Sequence, residues 1–136
     1  MTAKIELYNP DGLGAPLGLY RQVARVRATE ILFIAGQLAT DASGNVVGRG
    51  GFDAQMRQVF ANVGAALKSA GAGFGNVVQF TTYLVHSHDI EDFMRVRKEL
   101  FPRLFPDGAY PPNTLLVIDR LVKEEFLIEV QTVAAV

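Results

Sequence analysis

FDAQMRQVFANVGAALKSA, residues 52–70, decides how this chain folds. Phe52, Met56, Val59, Phe60, Val63, Leu67 and Ala70 recur at intervals of three and four, which places them along one side of an amphipathic helix of about five turns. Gly71 follows where a left-handed C′ residue lets the last turn close its carbonyls, so the helix stops there. On the far side, Val77–Val85 (VVQFTTYLV) is β-branched and aromatic and reads as a strand. On the near side, Leu19–Ala28 alternates, with Arg21, Arg25 and Arg27 on one face, and Ile31–Ala35 is a short apolar run. Thr29 and Glu30 join the two, and the pair is expected to form a hairpin.

Further out, residues 1–18 are expected to run as irregular loop after a brief apolar stretch at Ile5 and Leu7, because Gly and Pro punctuate them from position 10 onward. Asp41-Ala42-Ser43-Gly44-Asn45 is a cluster of turn formers. After the polar break His86-Ser87-His88, Asp89 is the expected N-cap of a second helix, whose stripe is Ile90, Phe93, Val96, Leu100, Phe101 and Leu104. Pro102 should kink or end it, with Phe101–Phe105 as the exit. Leu115–Ile118 and Phe126–Val133, separated by Lys123-Glu124-Glu125, read as a closing antiparallel pair. The order ββαβαββ predicts a single α+β domain spanning residues 1–136, one sheet with two helices on one face. Val23, Ile31, Phe33, Leu115, Val117 and Leu127 supply apolar groups to both sides of that sheet, so an oligomer that buries the second face is expected.

Composition closes several chemistries. The 136 residues hold 13 basic and 14 acidic side chains and no cysteine. Disulfides, thiolate metal sites and a Cys nucleophile are thereby excluded, and a reducing cytoplasmic setting is the expectation. A net charge of −1 supplies no global field for a polyanion, which argues against a nucleic-acid partner. The N-terminus has no signal-peptide pattern, and runs such as Ile31–Ala35 and Leu115–Ile118 fall far short of the ~20 residues that cross a bilayer, so no membrane association is expected.

Motifs narrow the field further. Gly71-Ala72-Gly73-Phe74-Gly75 follows a helix and precedes a strand, the reverse of a dinucleotide loop, and Gly48-Arg49-Gly50-Gly51 reads as a flexible connection. His86 and His88 lack an evident third ligand and read as a polar corner, so no metal is expected. None of Ser43, Ser69 and Ser87 sits in a Gly-x-Ser-x-Gly elbow. Glu129 differs, because it interrupts the apolar run Phe126-Leu127-Ile128-Glu129-Val130, where a carboxylate needs a partner or a function.

Together, Leu19-Tyr20-Arg21-Gln22, Ile34-Ala35-Gly36-Gln37-Leu38, the helix ending in Gly71, Asp89-Ile90-Glu91-Asp92-Phe93, Pro111-Pro112-Asn113-Thr114 and Ile128-Glu129-Val130 resemble the Rid family of reactive intermediate (imine) deaminases, also called the YjgF family. The resemblance spans nearly the whole chain. It implies a chorismate-mutase-like α+β fold, a homotrimer with small-molecule clefts between subunits, and cofactor-free hydrolysis of imines or enamines to a carbonyl compound and ammonia. Glu129 and Asn113 would be the catalytic residues, and Tyr20, Gly36, Gln37, Phe93 and Asn113 the substrate-binding ones.

One position departs from the pattern. Deaminating members carry an arginine that holds the substrate carboxylate where this chain has Asn113. An amide lacks the positive fork, and losing a charged hydrogen bond costs about 1.5–3 kcal/mol. Asn113 therefore redirects the cleft toward uncharged carbonyl or imine ligands, unless Arg120 or another basic side chain replaces the lost charge. The alternative to an enzyme is a non-catalytic ligand-binding or regulatory homotrimer.

Overall fold

The computed structural model describes residues 2–136. Its strands are β1 (Lys4–Tyr8), β2 (Val23–Arg27), β3 (Ile31–Gln37), β4 (Val77–Leu84), β5 (Asn113–Val117) and β6 (Ile128–Ala135), and its helices are α1 (Phe52–Ser69) and α2 (Ile90–Leu104). The architecture is α+β, two helices packed on a mixed four-stranded sheet of order β3-β6-β4-β5, with β1 and β2 forming a separate antiparallel ribbon.

The helices follow the sequence pattern closely. Phe52, Met56, Val59, Phe60, Val63 and Leu67 of α1 are buried. Gly71, with φ +71°, closes the helix: its N–H reaches the Lys68 carbonyl at 3.0 Å and that of Ala72 the Leu67 carbonyl at 2.9 Å. Ala70 lies outside the buried stripe as the C-cap residue. α2 continues two residues past Pro102 to Leu104, and Phe105 N–H still bonds Phe101 O at 2.7 Å. In the last turn the missing proline donor removes a single bond, which the terminus tolerates. Asp89 occupies the N-cap position of α2 but makes no capping hydrogen bond, and its carboxylate is buried instead.

Strand pairing departs from the sequence reading in three places. Residues 4–8 are a strand, not loop: β1 pairs with β2 in a register that sets Ile5 opposite Val26, Leu7 opposite Ala24 and Glu6 opposite Arg25. Consequently β2 and β3 do not form a hairpin. Their connection is pinned elsewhere, as Thr29 and Glu30 N–H both bond the Val136 carbonyl at 2.9 Å. The third correction concerns the C-terminal strands, which are not an antiparallel pair. β6 lies between β3 and β4, antiparallel to both, while β5 pairs with β4 in parallel after the chain crosses over through α2.

Alternation then assigns the faces. Phe80, Thr82 and Leu84 of β4 and Ile128, Val130, Thr132 and Ala134 of β6 are buried toward the helices. Phe60, Phe80, Phe101, Phe105 and Tyr110 form the aromatic centre, with rings 5.2–6.2 Å apart. The opposite face is open: Phe33 is 81% exposed, and Ile31 and Leu116 are exposed as well. Buried Gln55 ties the layers together, donating to the carbonyls of Gly48 and Glu125 and accepting from Leu127 N–H. Among the described residues, no helix is long and apolar enough to cross a membrane.

Candidate functional site

The candidate residues fall into two groups, one on each side of the sheet. The first forms at the end of β3. Ile34 pairs with Thr132 and Gln37 with Val130, so Ala35 and Gly36 together face the single residue Gln131: a β-bulge. The bulge brings Gly36 against Glu129. A Cβ placed on Gly36 would stand 2.5 Å from Glu129 Oε1 and 2.7 Å from its Cδ, so close approach to the carboxylate is what requires glycine here. Gln37 braces the same turn, its Nε2 donating to the Ala35 carbonyl at 3.0 Å. Just beyond, Asn62 of α1 holds the carbonyls of Leu38 and Thr40, both at 2.9 Å.

Glu129 stands opposite Tyr83 of β4 and faces away from the helices, since its neighbours Ile128 and Val130 point into the core. No cation pairs with it among the described residues. Partial burial raises its pKa above the ordinary glutamate value. A carboxylate held this way is a better proton acceptor than a fully exposed glutamate.

The second group lies on the helix side. Phe93 is fully buried, and the Arg97 guanidinium, one turn further along α2, lies 4.9 Å from its ring centroid and 5.9 Å from that of Tyr20. The Tyr20 hydroxyl accepts from Leu17 N–H at 3.2 Å. Asn113 opens β5 opposite Phe80, and Thr82 Oγ1 lies 2.7 Å from its Oδ1. The hydroxyl donates to that oxygen, and the Asn113 NH₂ has no side-chain hydrogen-bond partner among the described residues.

Within one chain, Asn113 and Glu129 are therefore not brought together. Their β4 partners are three residues apart and face opposite sides. Arg120 does not join either group: it is exposed, ion-paired with Glu124 at 3.0 Å and bonded to the carbonyls of Leu121 and Val122.

Sequence reasoning missed Arg97. The signal was present, because Arg97 is four residues from both Phe93 and Phe101 and so shares their buried face. A stripe traced through apolar residues alone passes over it.

The His86 and His88 rings stack at 4.9 Å, and His88 Nε2 is 3.7 Å from Asp89 Oδ1. Among the described residues, no group of three or more potential ligands gathers around a metal position.

Along most of its length the chain is similar to known proteins. Residues 13–136 match the family described as endoribonuclease L-PSP. A RutC family protein, slr0709 of Synechocystis, is 36% identical over 121 residues, 88% of each chain. The bovine (Bos taurus) 2-iminobutanoate/2-iminopropanoate deaminase is 38% identical over 96 residues, 70% of this chain and 68% of that one. Among solved structures, YyfB of Yersinia pestis, described as a protein of unknown function of the conserved Rid protein family, superimposes with a TM-score of 0.85 at 29% identity, covering 100% of both chains.

Proposed function

The chain belongs to the endoribonuclease L-PSP family, to which the Rid proteins belong, and on that premise we propose that it hydrolyses small imines or enamines. Water adds across the C=N bond, the carbinolamine collapses, ammonia leaves with the proton it needs, and a carbonyl compound remains. The observation that carries this reading is Glu129. A carboxylate seated in a bulge, without a counter-cation among the described residues and with a raised pKa, is suited to accept the proton of the attacking water and return it to the departing nitrogen. Similarity to the bovine imine deaminase supports the same chemistry.

The two half-sites are joined between copies of the chain. In a homotrimer, the open sheet face of one copy, with Gly36 and Glu129, meets the side of a neighbour that carries Tyr20, Phe93 and Asn113, while Gln37 braces the Gly36 turn from the end of β3. The exposed Ile31, Phe33 and Leu116 give that face the apolar character of a buried interface. Analytical ultracentrifugation should find a species three times the 14.8 kDa chain mass. A monomer would leave the half-sites apart and remove the proposal.

The functional test is ammonia release from imines generated in situ by an amino-acid oxidase, comparing the native chain with Asn113→Arg. Release by the native chain above the uncatalysed rate is the expected result. Activity confined to the variant would show that the native site serves another ligand. Silence in both, with ligand-dependent thermal stabilisation, would make the protein a binding trimer.

A further inference from the structure

Arg97 is only 2% exposed, yet no carboxylate meets it among the described residues. Its guanidinium carries five N–H donors, and the acceptor it finds among the described side chains is the Met94 sulfur, 2.9 Å from Nη2, a weak one. Around it stand the rings of Phe93, Tyr20 and Phe101, at 4.9, 5.9 and 6.0 Å from Cζ. Rings of this kind tolerate a cation but fill none of its hydrogen bonds.

The chain also makes room for this head group. A Cβ on Gly18 would overlap Arg97 Nη2 and stand 3.1 Å from Cζ, and the Gly18 backbone is not in the left-handed region that would otherwise call for glycine. The head group is not completely enclosed. The fully enclosed, unsatisfied side-chain polar atoms among the described residues are Gln22 Oε1, Asp89 Oδ2 and Thr132 Oγ1, so the unbonded guanidinium nitrogens retain contact with solvent.

Buried arginines ordinarily meet a carboxylate or phosphate in bidentate pairs. We propose that the missing partner of Arg97 is the carboxylate of the ligand, so that the site takes anionic 2-imino or 2-oxo acids and not uncharged carbonyl compounds. The inference rests on the imine-hydrolysis reading and names the substrate class of that site. Arg97 supplies the positive fork that Asn113 lacks, from α2 instead of β5. Tyr20 and Phe93 wall the carboxylate end, and the Asn113 NH₂ lies on the same side of the sheet.

The test reads binding apart from turnover. Titration calorimetry on the intact protein, with 2-oxobutanoate and its uncharged counterpart 2-butanone as probes, should show the acid bound more tightly. Arg97→Met should weaken the acid by about 10- to 100-fold and leave the ketone unchanged, with Arg97→Lys recovering part of the loss. Should Arg97→Met fail to fold, Gly18→Ala, which keeps Arg97 but displaces its head, should weaken the acid selectively. Equal affinity for both probes in the native chain, no binding of either, or an acid affinity unmoved by the substitutions would overturn the proposal. Arg97-dependent binding of 2-oxobutanoate without any ammonia release would sustain the anchor while removing the deaminase reading. Deamination of 2-iminobutanoate unaffected by Arg97→Met would do the reverse.

Discussion

Arg95 and Arg97 stand two residues apart on α2 and meet opposite surroundings. On the outer surface of the helices, Arg95 bonds Asp53 at 2.7 and 2.9 Å and Asp92 at 3.2 Å, Glu99 lies 3.5 Å away, and Arg57 reaches Glu99 from α1. Those hydrogen bonds raise the pKa of Arg95 further. Inside, Arg97 has a sulfur and three aromatic faces, and burial pushes its pKa down to about 10, still charged at neutral pH. Glu129, half-buried on the other face of the sheet, is likewise without a counter-ion among the described residues, with the opposite sign. Each of these two charges rests against a glycine whose Cβ would crowd it, Gly18 for Arg97 and Gly36 for Glu129. Paired charges at the surface contribute little and tolerate loss, whereas a charge out of water without a partner costs stability.

The sharpest test of this contrast is Glu129→Gln, which should lower ammonia release by about 10²- to 10⁴-fold with the oligomer intact. An unchanged rate would end the assignment of Glu129 as the base. The native pH profile of kcat/KM should fall on the acid side with an apparent pKa above the ordinary glutamate value, and the variant should lose that limb. Stability has a defined sign too. A carboxyl whose folded pKa is raised binds its proton more tightly in the folded state, so its contribution is present below the unfolded value of about 4.5 and is lost as pH climbs through the folded value. Thermal unfolding of Glu129→Gln should therefore match or exceed the native protein at pH 7, with the difference closing in acid.

Next in size is Gly36→Ala. Its Cβ must push the carboxylate or the bulge aside, and a displacement near 1 Å at a reacting group costs about 10²-fold. Native activity in this variant would mean that the seat is not needed. Arg97→Met should unfold in urea with a ΔG equal to the native value or higher by about 0–3 kcal/mol, because methionine fills the aromatic surroundings without a desolvated charge. A large loss of stability would instead make Arg97 a structural residue. Arg95→Met, the smallest effect, should move Tm by no more than about 2 °C, with the change fading in 1 M salt.

How far the sequence reveals this arrangement depends on the range of the interaction. Both helices announce themselves through periods of three and four, and Gly71 marks its terminus, because those signals are local. Strand partners are not local. Nothing in Phe126–Val133 says that it will lie between β3 and β4, and β1 carries too few apolar residues to stand out before Glu6 meets Arg25. The site divides likewise. Glu129 is legible as a charge inside an apolar run, and Gly36-Gln37 through the resemblance, but their contact depends on a bulge that no composition betrays. Arg97 was legible by spacing and lost by habit, since a buried face is conventionally traced through apolar letters.

The bulge in β3 changes the parity of the strand. Parity along a strand is a reading frame with period two: up to Ile34 the chain is read in one frame, and from Gln37, opposite Val130, in the other. Deleting one residue at Ala35 would restore a regular ladder without removing any chemically active side chain. Glu129 would remain in place, but it would lose the seat that Gly36 provides. Under the proposed reading, a chain shortened by that one residue should lose ammonia release while Glu129 itself is still present, so the strand length between Ile34 and Gln37 matters to the site as much as the glutamate does.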